Sequence, residues 1–335
     1  MNVATSIEVR PAPEVVSAFQ LLRDFKPIES IVDGLPTGRG ALVSVTGPTG
    51  HGKTTVLTLL QIALCRGLKF AGREVTQGSV LVLAGENPDD YTMRLAATAQ
   101  DLGLRGAELA RPPPMGELLV ISGTFSVPYE FEVLRQHFES LRTNLVAVFV
   151  DTSAAFYGGD DENDNVAMRR HASALRELTT LPGRPTVFVL CHPTKNAQRD
   201  SLLPRGGGAF LAEVDANLTL WKDEAGIITL HWSGKIRGPS FEPVRFELVP
   251  IELEPCPRPA AAAPSTPVVT MKLPSFGVLG AFAAPPPRPP PPGAPSSAAG
   301  ASPGAAAGAV YGTSPPGLST RIAHCVPVCP SRAPV

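Results

Sequence analysis

From Pro255 to the C-terminus of this 335-residue chain there is not one Asp or Glu. In that same stretch lie 20 of the 37 prolines, among runs such as APPPRPPPPGAPSSAAGASPGAAAGA, so it cannot assemble a packed core. All 30 acids therefore fall in the first 254 positions, with 24 of the 29 basic residues. That part is mildly acidic, which excludes nucleic-acid binding by overall charge; any such contact needs a local basic patch. Cysteine is scarce as well. Of five, only Cys65 and Cys191 precede the tail, each inside an apolar run, which argues against a disulfide framework. Cys325 and Cys329 flank a CxxxC spacing beside His324, with no second ligand pair to complete a zinc site. No run reaches the roughly 18 apolar residues of a membrane span, and MNVATSIEVRPAPEV lacks the basic start and apolar core of a leader. The expectation is a cytoplasmic chain with no membrane partner.

What is present is a recurrence of short apolar runs: 41–47, 79–86, 118–123, 144–151 and 186–192. They do not alternate with polar residues, so they read as strands buried on both faces. Amphipathic stretches around 53–66, 89–103, 128–143 and 162–181 separate them. Alternation of this kind predicts an α/β fold, a mostly parallel sheet covered by helices on both sides. After Gly208 the pattern becomes ANLTLWKDEAGIITLHW, a hairpin turning near Asp223–Gly226, and VRFELV closes the ordered region near 252. The expected domains are an N-terminal segment 1–25, a catalytic domain 26–252 and a Pro/Ala-rich disordered tail 253–335. The tail has a second reading, a GC-rich gene read in a shifted frame.

Gly47-Pro48-Thr49-Gly50-His51-Gly52-Lys53-Thr54, followed by Thr55, satisfies GxxxxGK[ST] directly after a strand and directly before a helix. Glycines there let successive backbone N–H groups form a nest for phosphates, to which the helix N-terminus adds its positive end. Lys53 should reach the β- and γ-phosphates of ATP, and Thr54 should ligate Mg²⁺. Asp151 ends the run LVAVFVD, where a carboxylate at a strand tip can hold the same metal. Glu86, at the tip of SVLVLAGEN, is the candidate base for the attacking water. Its bland alternative is a cap for the helix beginning at Pro88.

Together, GPTGHGKTT, LAGEN, VFVDTSAAFYGGDDENDN, VLCHPTKN and GKIRGP resemble the RecA-like P-loop ATPases of the RepA hexameric replicative helicase type, over roughly residues 20–250. The resemblance implies a homo-oligomeric ring, a hexamer, acting on single-stranded DNA. It implies Lys53 and Thr54 at the phosphates and Mg²⁺, Glu86 as base, Asp151 as metal-side acid and His192 as sensor of the γ-phosphate. It also implies that Lys235 and Arg237 form a finger reaching a neighbour's nucleotide; otherwise they are surface charges at a hairpin exit. The segment 195–208 falls where such rings line their channel. It carries Lys195, Arg199 and Arg205, no aromatic, and three glycines expected to make it mobile. Basic groups there would track phosphates without reading sequence, with affinity that depends strongly on salt. The acidic loop 158–165 would repel DNA and is expected near the nucleotide or a subunit seam. Two other readings stay open: a RecA/RadA-like recombination mediator, and a KaiC-like nucleotide switch without DNA.

Overall fold

The computed structural model describes residues 15–104, 116–158 and 164–253, and the backbone of 321–327. A short helix α1 (Ala18–Arg23) precedes the first strand. Then β1 (Leu42–Thr46), α2 (Lys53–Arg66), β2 (Ser79–Ala84), α3 (Pro88–Asp101) and β3 (Leu118–Ser122) follow in alternation. After them come α4 (Val127–Ser140), β4 (Leu145–Asp151), α5 (Asn165–Glu177) and β5 (Thr186–Cys191). A short helix α6 (Gly207–Glu213) leads into β6 (Ala216–Lys222), β7 (Ile228–Ile236) and β8 (Val244–Glu252). One further strand, β9 (Arg321–Pro327), lies in the stretch the sequence assigns to the tail.

The strand order is β3-β2-β4-β5-β1-β6-β7-β8-β9. Every pairing from β3 across to β6 is parallel, while β6–β7 and β7–β8 are antiparallel. The mostly parallel sheet with its C-terminal antiparallel hairpin is the expected α/β architecture. Strands β1, β4 and β5 are buried along their whole length, because one apolar layer under α2 and α3 and another under α4 and α5 cover the two faces. The run 118–123 departs from expectation. As the edge strand β3 it is only partly covered, and Val120 is exposed.

Because the central strands are parallel, their C-terminal tips gather along one edge of the sheet. The chain leaves that edge at Gly47 after β1, Glu86 after β2, Asp151 at the end of β4 and His192 after β5. Ligands of open parallel sheets bind in the crevice outside these tips. The register of β6 and β7 sends the remaining candidates elsewhere. Thr46 pairs with Thr219 near that edge, whereas Val43 pairs with Ala216 and Ala216 with Ile236 at the opposite one. Lys235 and Arg237 therefore flank a position at the far end from the phosphate loop.

Among the described residues no helix is long and apolar enough to cross a membrane.

Candidate functional site

The turn from β1 into α2 is built on glycine for steric reasons. Gly52 is the N-cap of α2 at φ +80, and a Cβ there would sit 2.4 Å from the Ile228 side chain. At Gly47 a Cβ would lie 2.6 Å from the carbonyl oxygen of Leu220. Neither position admits another residue without displacement. With glycine as N-cap, no side chain occupies the first-turn N–H groups of α2, and no acid stands in that turn. The helix start is thus open to an anion.

Lys53 is buried, and its Nζ donates to the carbonyls of Gly47 (2.7 Å) and Pro48 (3.2 Å), which hold the ammonium at the loop. Burial lowers its pKa, an effect that the charges of Asp151 and Glu86 oppose. The Thr54 hydroxyl donates to Asp151 Oδ2 at 2.9 Å. Asp151 is 8% exposed. Burial pushes its pKa up to about 6, reinforced by Glu86 and countered by the Thr54 hydrogen bond and by Lys53 and Arg94. A hydroxyl and one buried carboxylate, both hard oxygen donors, fit Mg²⁺, which takes one or two carboxylates and completes its octahedron with phosphate and water. Among the described residues no cluster of three or more His, Cys, Asp or Glu is poised to hold a metal by itself.

Glu86 is half exposed. Its Oε1 accepts a hydrogen bond from the Thr152 hydroxyl at 2.7 Å and lies 3.6 Å from His192 Nε2. The capping alternative fails, because the N-cap of α3 is Asn87, whose side chain accepts from the Asp90 N–H. His192 is held toward its neutral form by burial and by Lys53, against the pull of Glu86. Glu86 and His192 thus meet above the strand tips.

Three side chains at this edge play parts that no motif announces. Thr152 orients Glu86. Arg94 grips Asp90 through two nitrogens and donates to the Thr55 hydroxyl at 2.9 Å, which leaves Thr55 buried and only its backbone N–H for a phosphate. His51, although within the glycine-rich motif, turns its side chain away from the nest: its Nδ1 accepts the Lys222 N–H at 2.9 Å, and its ring meets Trp221 edge-on at 4.9 Å. The i,i+4 spacing of Asp90 and Arg94 on one helix is the signal that would have exposed the second of these. The other two depend on contacts between strands, which spacing does not reveal.

Other candidates lie apart from this edge. Lys235 Nζ donates to the carbonyls of Leu211 and Ala212 at the end of α6, and Arg237 pairs with Asp215 at 2.7 Å. Neither approaches the chain's own phosphate loop. Lys195, Arg199 and Arg205 are all exposed. The expected mobility of their loop is corrected by its ties. Pro193 bridges Pro204, Arg205 N–H donates to the His192 carbonyl, and Leu202 is fully buried with its carbonyl accepting from Asn217. The glycines are structural: Gly206 caps α6 at φ +89, where a Cβ would strike Met168, and Gly207 and Gly208 belong to the helix. Of the acidic loop, 159–163 lies outside the described residues, and Asp164 caps α5 through the N–H groups of Val166 and Ala167.

A protein-family model described as an AAA domain matches residues 8–198, more than half of the chain. No curated protein matches it.

Proposed function

The chain belongs to the AAA domain family of P-loop ATPases, and from that premise we propose that it is an ATP-driven motor acting on single-stranded DNA, a RepA-like replicative helicase of a mobile element working as a hexameric ring. The observation that carries the ATPase half is the convergence of four strand tips: Lys53 with the Thr54–Asp151 pair on one side, Glu86 with Thr152 and His192 on the other.

Backbone N–H groups of the turn and first helical residues, 49–55, and Lys53 bind and orient the phosphates. Thr54 and Asp151 would hold Mg²⁺, which would supply positive charge beside the phosphates. Glu86, fixed by Thr152, orients a water in line with the γ-phosphorus and takes its proton as the new P–O bond forms and the β–γ bridge breaks. His192, 3.6 Å from that carboxylate, stands where loss of the γ-phosphate would be felt and passed to the basic loop that begins three residues later.

Support for the DNA half is the position of Lys195, Arg199 and Arg205 on a tied loop directly after His192. Glu86→Gln tests the chemistry: ATP should bind nearly as in the parent while turnover falls by about 10² or more, the size of a general-base effect. Turnover within about tenfold of the parent removes Glu86 from that role. For DNA, replacing the three basic residues with Ala should weaken oligo-dT binding and lower the log–log salt slope by roughly 0.7 for each phosphate no longer neutralised. Strand separation on a forked duplex distinguishes a helicase from a mediator.

A further inference from the structure

The basic loop carries no aromatic residue, yet the structure sets it against a surface that does. A groove of about 550 Å³ runs between Arg199–Asp200 and the hairpin of β6 and β7. Its floor is one face of that hairpin: Thr219 pairs with His231 and Trp221 with Thr229, so all four project the same way. Trp232 borders it too, but it pairs with Leu218 and packs on the other face against the core, so Trp221 is the tryptophan on the groove face. The loop is fixed over it by the Asp200 carbonyl, which accepts from Ser233, and by the Leu202 carbonyl, which accepts from Asn217.

We propose that this groove is the base-stacking site for single-stranded DNA, with Trp221 as the platform and Arg199 meeting the backbone at the rim. This rests on the reading of the basic loop as the DNA contact. Three observations carry it. The groove joins a half-buried indole to one exposed cation, Arg199, the pairing that suits a nucleotide's flat base and its phosphate. The Asp200 carboxylate at the rim disfavours phosphates inside, leaving the interior to bases and the backbone to the Arg199 side. Finally, Trp221 is not an isolated surface ring. Its other contact is His51 of the phosphate loop, and the next residue, Lys222, donates its N–H to that same imidazole. The His51–Trp221 contact thus links the groove to the backbone of the phosphate loop.

Full-length Trp232→Phe, which leaves Trp221 as the only indole, is titrated with oligo-dT at low salt. Saturable quenching of its fluorescence is expected, because a stacked base contacts the ring. Trp221→Ala should bind oligo-dT about tenfold more weakly, since one base loses its stacking partner. Its salt slope should equal that of the parent, because stacking releases no counterion, whereas Arg199→Ala should lower the slope. Trp221→Phe should restore most of the affinity, which separates stacking from a folding defect. Full affinity in Trp221→Ala overturns the stacking site while leaving the basic loop as the DNA contact. Quenching by ATP alone, with none from oligo-dT, assigns the groove to the nucleobase of ATP and also overturns it. If the parent protein binds no oligo-dT at any salt, the DNA reading itself falls, and this site with it.

Discussion

Asn217 is fully buried and has all of its side-chain hydrogen-bonding capacity in use. Its oxygen accepts from Ser44 (2.8 Å) and Thr46 (2.7 Å) on β1, and its NH₂ donates to the carbonyls of Leu202 and Ser233. One amide therefore ties the strand that leads into the phosphate loop to the basic loop and to β7. Asn217→Ala should lower stability by about 3 kcal/mol, because buried polar groups that lose their partners cost roughly 1–3 kcal/mol each; denaturant unfolding at constant m reads this. Asp151 governs a pH effect whose sign follows from its raised pKa. Above about pH 6 the carboxylate is charged and free for metal; below it a proton competes. The Mg²⁺ concentration for half-maximal ATPase should rise about tenfold per pH unit below that point and be flat above it. A flat dependence throughout would contradict the assignment of Asp151 to the metal. For folding the sign is opposite to that of a salt-bridged acid. Burial penalises the charged form, so in the metal-free protein this group removes stability as pH rises from about 4 to about 6 and leaves it unaffected below.

At the scale of elements, the loop from His192 to Gly206 behaves as a built part of the sheet and not as a tether. Gly206→Ala should destabilise by about 1–2 kcal/mol, because the αL conformation is strained for alanine and Met168 must move. Thermal unfolding would register it, and reduced oligo-dT binding should accompany it if α6 and the loop are set together. The same loop marks the limit of what local sequence carries. Five of the six strands in the parallel part of the sheet and the four long helices were legible, because parallel strands read as unbroken apolar runs and the helices between them as 3.6-residue periodicity. The phosphate loop was legible because its chemistry is local. Glu86, Asp151 and His192 were legible as strand tips. Three glycines in a row suggested mobility only because the close approach of Met168 and the pull of Asn217 on Leu202 come from segments distant in the chain. Likewise, no spacing rule links His51 to Trp221, which belong to different strand ends far apart in the chain, or shows that β3 would be the edge strand.

For the whole molecule, the N-terminal segment raises the question of company. Phe19, Leu21, Leu22, Phe25 and Ile28 are each more than 60% exposed, and among the described residues α1 buries no side chain. Apolar side chains exposed together in this way suit an interaction surface, and their expected role is to help build the proposed ring. Phe19→Ser with Leu22→Ser should shift the sedimentation of the full chain toward monomer while its circular dichroism stays unchanged. If the ring forms, Arg237 must leave Asp215 to reach a neighbour's phosphate. Arg237→Ala and Glu86→Gln, each inactive alone, should then regain partial ATPase when mixed under subunit exchange. No recovery at any ratio would remove the finger. The half-exposed Glu86, with one hydrogen bond to Thr152 and no part in the core, has a genetic consequence. Its loss should leave a subunit that folds, loads nucleotide and joins its neighbours. In a cell carrying both alleles such a subunit would spoil the assemblies it enters, so Glu86→Gln should be dominant over the intact gene. A lesion at Asn217, which withdraws the subunit by unfolding it, should be recessive.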